Sequence, residues 1–344
     1  MTWQVITAAC ATVIAGAASP MFVIPWLKRG NHYDVPVARS SHRVAVPRGG
    51  GLAMVSAAIV GVTILCVLEA AGYNARLSGR FWPLVAIPFA MSALGFAEDT
   101  RGLGIRTRLL GQLTVGAVGA VWLLATDHRA LLWAALLTLV LAGYVNIANF
   151  MDGVNGISGL HGTIAGATFL LIGNGVHDTA LQLAAVLLAT ASLAFLPWNA
   201  PKARIFLGDC GSYFIGAAVA TLAVTAIQSG ATFELAVAPA AVYVVDTMWT
   251  MGSRYRRGEP VHESHCSHVY QRLTDFGLSH VQSSGVVATA TVVVISLASV
   301  STVGELVPRV LADALAALVL TGYLALPALL RVRRAAQRPS TVDH

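Results

Sequence analysis

Apolar stretches of membrane-spanning length dominate the chain, and no other feature narrows its possible folds so far. Reading between polar or turn-rich breaks predicts helices at roughly 3 to 27, 50 to 71, 81 to 97, 111 to 126, 129 to 149, 159 to 174, 178 to 196, 210 to 227, 232 to 252, 281 to 303 and 308 to 330. The 111 to 149 stretch is interrupted only by Asp127, His128 and Arg129, so the count is ten or eleven. Lys, Arg, Asp and Glu make up 11% of the 344 residues, against about 25% in soluble domains, and mean hydropathy is +0.70. One water-facing core cannot hide that much apolar surface, which excludes a soluble enzyme. The expected fold is an all-α polytopic membrane protein, with one transmembrane domain over 1 to 330 and a basic tail over 331 to 344. No internal repeat, low-complexity tract or second soluble domain is visible.

The net charge of +6 and pI near 9.4 raise the question of a nucleic-acid partner, and the placement of the charges answers against it. If the first loop faces the cytoplasm, all but Arg76, Arg80, Arg129 and Arg309 of the 22 Lys and Arg fall on that side. This is the positive-inside pattern of a membrane protein, with the N-terminus outside and the basic tail inside. No Lys or Arg precedes the first apolar run, so it is read as a helix and not as a cleaved signal. The four cysteines include no CxxC pair and are read as free thiols.

The loops on the outer side are short, while the inner ones are long, rich in glycine and carry an excess of ionisable groups. They read DVPVARSSHRVAVPRGGG (34 to 51), EDTRGLGIRTRLLGQ (98 to 112), NIANFMDGVNG (146 to 156), RIFLGDCGS (204 to 212) and RYRRGEPVHESHCSHVYQRL (254 to 273). Acids recur at the helix ends beside them. Glu98 and Asp99 close the third span, Asp152 follows the fifth and Asp209 precedes the eighth. Asp246 lies about six residues, or roughly 9 Å, inside the end of the ninth. Acids near lipid need a cation, a basic partner or water, so their expected convergence at one face predicts a divalent metal site beside phosphate-binding arginines. Oxygen-only ligands point to Mg²⁺ or Mn²⁺. Gly49, Gly50 and Gly51 allow either a phosphate-binding backbone nest or a flexible lead into the second span.

At these loops the sequence resembles the polyprenyl-phosphate N-acetylhexosamine-1-phosphate transferases (MraY/WecA type), membrane enzymes that move a sugar phosphate from a UDP-sugar to a lipid phosphate. The resemblance covers nearly the whole chain and rests on DVPVARSSHRVAVPRGGG, GFAEDTRGL, NFMDGVNG, FLGDCGS and HESHCSHVYQRL, in family order. It implies that Asp209 ligates Mg²⁺ on the UDP-sugar diphosphate and that Phe206 stacks on uracil. Asn149 and Asp152 match the nucleotide-side asparagine and aspartate. Asn155 stands where most relatives carry a second aspartate, and Glu98 where they carry the first of two adjacent aspartates; both are departures. Arg106 and Arg108 match a basic stretch near the phosphate site, and His42 with Arg48 the first-loop pattern associated with the lipid phosphate. His265 and His268 match an HxxH motif, placed on one face of a helical turn and read as binding phosphate rather than zinc.

The implied reaction is an in-line attack of the lipid phosphate on the sugar-bearing phosphorus, with UMP leaving and the metal and arginines cancelling repulsion between two anions. Glu98 or Asp99 is either a base on the lipid phosphate or an organiser of the metal's surroundings. The SHVYQRL and RSSHRVAVPRGGG segments look closer to the branch that starts cell-envelope glycans, with UDP-GlcNAc the first choice. The alternatives are the phospho-MurNAc-pentapeptide transferase, an ion-coupled transporter and a non-catalytic scaffold. Acids clustered at one face without repeated halves argue against a transporter. The resemblance further implies a bacterial inner-membrane location, cytoplasmic catalytic loops, and a homodimer as an option.

Overall fold

In the computed structural model, the described residues are 3–35, 44–73, 77–125, 132–259 and 267–336, and they form an almost wholly helical bundle. The helices are α1 (Trp3–Ala18), α2 (Pro20–Arg29), α3 (Gly51–Ala70), α4 (Phe81–Arg101), α5 (Ile105–Ala125), α6 (Leu132–Phe150), α7 (Ile157–Gly175), α8 (Thr179–Asn199), α9 (Gly208–Gln228), α10 (Phe233–Arg256), α11 (Val269–Asp275), α12 (His280–Ala298) and α13 (Leu306–Ala336). The first predicted span is two helices. Pro20, which has no N–H to continue the ladder, opens α2, and the Ser19 hydroxyl donates to the Ala53 carbonyl at 2.9 Å. One pairing was not expected. Tyr33–Asp34 (β1) and Val46–Pro47 (β2) form an antiparallel ribbon with Tyr33 opposite Pro47, which steers the first loop back toward the bundle.

The central helix is α9, packed by α3, α4, α6, α7, α8 and α10, with 83% of its apolar window buried. Small residues permit this crowding. A Cβ on Gly216 of α9 would lie 2.9 Å from the Val145 Cα of α6, and one on Gly166 of α7 would lie 2.5 Å from the Ala189 nitrogen of α8. Such close backbone approach supports helix association where lipid offers no hydrophobic drive. At the rim, α13 has only 11% of its window buried and shows its apolar side chains outward, as expected of a lipid-facing helix.

Among the described residues, ten helical stretches are long and apolar enough to cross a membrane, with α1 and α2 together making the first. With 19 residues, α7 is not one of these ten, yet its two ends make contacts at opposite ends of the bundle. At its start, the Gly156 N–H donates to Asn199 Oδ1 at the end of α8 (2.6 Å). Just beyond its end, Asp178 takes up Arg80 (3.3 Å) and the Ser229 hydroxyl (2.6 Å), far from the loops rich in ionisable groups. Arg309 pairs with Glu234 on that same opposite face. The membrane-spanning architecture therefore stands, with ten candidate spans among the described residues and the 111 to 149 stretch read as the two helices α5 and α6. The last span departs from expectation at its end: α13 runs on to Ala336, so the segment read as a tail from 331 begins as helix. There Arg334 donates to the Phe276 carbonyl (2.7 Å) and lies over the Phe276 ring.

Candidate functional site

The site is built around the N-terminus of α9, where FLGDCGS turns from extended chain into helix. Phe206 pairs with the first loop through its backbone: its N–H donates to the Pro47 carbonyl, and its own carbonyl accepts from the N–H groups of Gly49 and Gly50. The Gly51 N–H donates to the Leu207 carbonyl. The three glycines therefore do not form a phosphate nest, because their N–H groups are spent on this strand-like contact. What they permit is proximity. A Cβ on Gly51 would lie 2.1 Å from the Gly211 nitrogen.

The same contact aims Arg48, the residue paired with Phe206, across the start of α9. Its Nε donates to Asp99 Oδ1 (3.0 Å) and its terminal nitrogen to Asp209 Oδ1 (2.7 Å). Burial opposes the charge on Arg48, but Asp209, Asp99 and Asp34 more than offset it and hold the guanidinium protonated. Asp99, at the end of α4, does a second thing. Its Oδ1 accepts from the Asp209 N–H (3.0 Å) and its Oδ2 from the Cys210 N–H (2.9 Å), so it caps α9 from a different helix. This needs Gly208, whose φ is +73° and whose Cβ would lie 2.6 Å from Asp99 Oδ2. It also needs Gly95, one turn before Asp99, where a Cβ would meet the Asp209 carbonyl oxygen at 2.3 Å.

Asn149, near the end of α6, donates to Asp209 Oδ1 (2.9 Å) and to Ser212 Oγ (3.0 Å). Asp152 accepts from Ser158 Oγ (2.6 Å) at the start of α7. Burial raises its pKa from the usual 3.8 to about 6, against the Ser158 bond and the field of Arg48; Asp209 and Asp99 add to the rise. Asp152 thus shares the electrostatic field of the cluster without a direct bond to it. Glu98 Oε1 takes up Arg108 at 3.5 Å, while its Oε2 is buried with no hydrogen-bond partner among the described residues. Arg106 is exposed. Asn155 Nδ2 donates to the Pro201 carbonyl at 3.0 Å, a bond that a carboxylate could not make, which accounts for the amide at this position.

Two expectations need correction. Asp246 does not join the other acids. Its Oδ1 accepts from the Val269 N–H (3.0 Å) and Thr250 Oγ1 (3.2 Å) and faces His268 Nδ1 at 3.1 Å, and its Oδ2 accepts from Tyr323 Oη (2.6 Å). Nor does His268 sit within a helical turn: it is the extended residue before α11, its ring buried against Asp246. His42 and His265 lie outside the described residues. Sequence reading missed Tyr323, Ser158, Ser212 and Tyr270, whose hydroxyl donates to the Phe150 carbonyl and braces the NFMDG turn. A lone acid inside a span signals that some partner exists, but nothing local identifies Tyr323.

Among the described residues no three His, Cys, Asp or Glu side chains stand close enough to hold a metal. Arg48 serves as the counter-cation between Asp99 and Asp209. The donor chemistry nevertheless fits a hard cation: Asp209 and Asp152 offer carboxylate oxygens, and Glu98 Oε2 is a buried acceptor without a donor.

Residues 81–227 match glycosyl transferase family 4. The chain is 30% identical over 284 residues to the decaprenyl-phosphate N-acetylglucosaminephosphotransferase of Mycobacterium tuberculosis (strain ATCC 25618 / H37Rv), covering 71% of this chain and 69% of that protein. It is 28% identical over 269 residues to the probable undecaprenyl-phosphate N-acetylglucosaminyl 1-phosphate transferase of Bacillus subtilis, covering 73% and 72%. It is also 32% identical over 303 residues to the phospho-N-acetylmuramoyl-pentapeptide-transferase of Geobacillus kaustophilus, covering 75% and 87%.

Proposed function

This chain belongs to glycosyl transferase family 4 and is a multi-pass membrane protein of the polyprenyl-phosphate sugar-phosphate transferase kind, and from that premise we propose its donor, acceptor and division of labour. It transfers an N-acetylhexosamine 1-phosphate, GlcNAc-1-phosphate first, from a UDP-sugar to undecaprenyl or a related polyprenyl phosphate and releases UMP. The reaction starts a cell-envelope glycan. The charge bias over the loops supports a bacterial inner-membrane location with the site facing the cytoplasm.

The observation that carries this reading is the meeting of three loop motifs at one helix N-terminus: Arg48, Asp99 and Asn149 all converge on Asp209 or its backbone. A helix N-terminus with a fixed cation beside it favours anions, which suits a diphosphate donor. Asp209 and Asp152 would hold Mg²⁺ (Mn²⁺ as a substitute), which when bound would neutralise the diphosphate and stabilise charge on the transferred phosphoryl group. Arg48, exposed on one side beside Asp209, would be available to phosphate oxygens. Phe206, half-buried three residues before Asp209, would stack on uracil, and Asn149 orients the Asp209 carboxylate. Arg106 and Arg108, with His42 and His265 of the flanking loops, supply the remaining phosphate contacts, while His268, buried against Asp246, braces its loop.

The nucleophile needs little help, since a phosphate monoester has a second pKa of about 6 and is largely dianionic at neutral pH. Both Asp99 oxygens are engaged in capping α9, so Asp99 acts as a positioning residue, which leaves Glu98 as the acid that would act toward the lipid phosphate.

The test is UMP release by the purified protein with undecaprenyl phosphate and a panel of UDP-sugars, each with Mg²⁺ and with EDTA. Release that requires both lipid and metal is expected, fastest with UDP-GlcNAc. Preference for UDP-MurNAc-pentapeptide would favour the second reading, which the 32% identity to a transferase of that name supports. A folded preparation inert toward every UDP-sugar would sink the transferase assignment.

A further inference from the structure

A cavity of about 310 Å³ lies between α10, α11 and α13 and shares no residue with the Asp209 cluster. Three arginines from three separate elements line it: Arg257 just past α10, Arg272 on α11 and Arg331 on α13. Thr250, Ser253 and Ser267 also line it. Of the three guanidinium groups, only Arg257 has a carboxylate partner among the described residues, Glu259 at 2.7 Å. Like charges gathered around one hollow repel unless an anion joins them, and none of the three is needed to hold the helices together through an ion pair.

Position selects the kind of anion. Trp249, 49% exposed, forms the wall nearest the bundle's outer surface, beside the 62% exposed Met248. An indole at the edge of an apolar belt with arginines one to two turns beyond marks the depth at which lipid phosphates lie. We propose that this cavity is a second anion site, which takes a phosphate presented by a membrane lipid. Its wall is joined to the buried histidine, since Thr250 donates to the same Asp246 oxygen that faces His268. An occupant would therefore tie α10, α11 and α13 together beside His268.

The test uses the full chain and does not measure turnover, so its failure is separable from failure of the transferase reading. Native mass spectrometry of protein released from phosphatidylcholine membranes doped with phosphatidylglycerol should show one retained phosphatidylglycerol. Arg272→Gln/Arg331→Gln should lower that retention on the order of tenfold. Ser253→Trp keeps every charge but fills the cavity, and should lower retention comparably. Arg333→Gln, on the same face but outside the cavity lining, should leave it unchanged. Unchanged retention in the first two variants, or an equal loss in Arg333→Gln, would overturn the proposal in favour of general surface attraction. Displacement of the phospholipid by undecaprenyl phosphate at equal concentration would overturn the proposal of a second site and identify the cavity as the acceptor site instead. Displacement by inorganic phosphate alone, with no need for an acyl chain, would overturn the lipid assignment.

Discussion

The Asp99 carboxylate caps the helix that carries Asp209, binding the backbone N–H groups of Asp209 and Cys210 with its two oxygens. An amide can accept at only one of these places and carries no charge for Arg48. Asp99→Asn should therefore cost stability, by about 2 kcal/mol for a lost bond to a charged acceptor. It should also misplace Asp209 and lower turnover at every pH. Thermal unfolding in detergent and a pH profile check this. Recovery of activity at alkaline pH would instead identify Asp99 as a proton acceptor.

Asp209 is the side chain on which Arg48 and Asn149 both converge. Asp209→Asn should lower UMP release by far more than tenfold and abolish Mn²⁺ binding measured by electron paramagnetic resonance. Retention of more than about a tenth of the activity, a loss under ~1.4 kcal/mol, would remove Asp209 from the proposed metal site.

The first loop depends on Gly51 having no side chain. In Gly51→Ala the new methyl would enter the Gly211 backbone, so α3 and α9 must separate. Overpacking of this kind costs about 1–3 kcal/mol. Gly143→Ala, in α6 with open space around it, is the control and should be neutral in melting temperature and activity.

Asn155→Asp installs the carboxylate that the family resemblance led one to expect at this position, yet should weaken this protein. It exchanges a donor to the Pro201 carbonyl for a charge that the carbonyl repels. A loss of about 1 kcal/mol is expected in denaturant unfolding. A gain in stability would mean that the amide has another partner.

Asp152 gives a pH signature. Its folded pKa of about 6 lies above the usual 3.8, so its stabilising contribution is complete below pH 3.8 and disappears as pH rises through 6. Metal-free protein should lose no more than about 3 kcal/mol from this source over that window. Asp152→Asn should flatten the profile, and Ser158→Ala, which removes a bond to the ionised form, should extend the fall to higher pH. An unchanged profile in Asp152→Asn would show that another group governs it.

How much of this was legible in the chain differs from residue to residue. The spans were readable because burial in lipid is a local property, expressed in every run of apolar residues. The broken first span was missed because Pro20 interrupts the ladder without lowering hydropathy. Asp209, Asp99 and Asn149 were identifiable as site residues through motif resemblance. Their partners were not, since Arg48 meets Asp209 across 161 residues and Asp99 meets the Asp209 N–H across 110. Asp246 shows the limit most clearly: membership of the acid cluster was inferred from its height in the span. Height says nothing about azimuth, and azimuth turned Asp246 toward His268 and Tyr323.

Sequence by itself determined a bundle of membrane spans, gathered its basic loops on one face and marked the residue types able to handle phosphates and a hard cation. Hydropathy and charge act through the solvent each segment meets, so they can be read without knowing any neighbour. Only the tertiary structure decided that Asp99 caps α9, that the three glycines serve helix contact and that three arginines surround one cavity. Each of these depends on which helices lie side by side, and that is settled by packing between residues far apart in the chain.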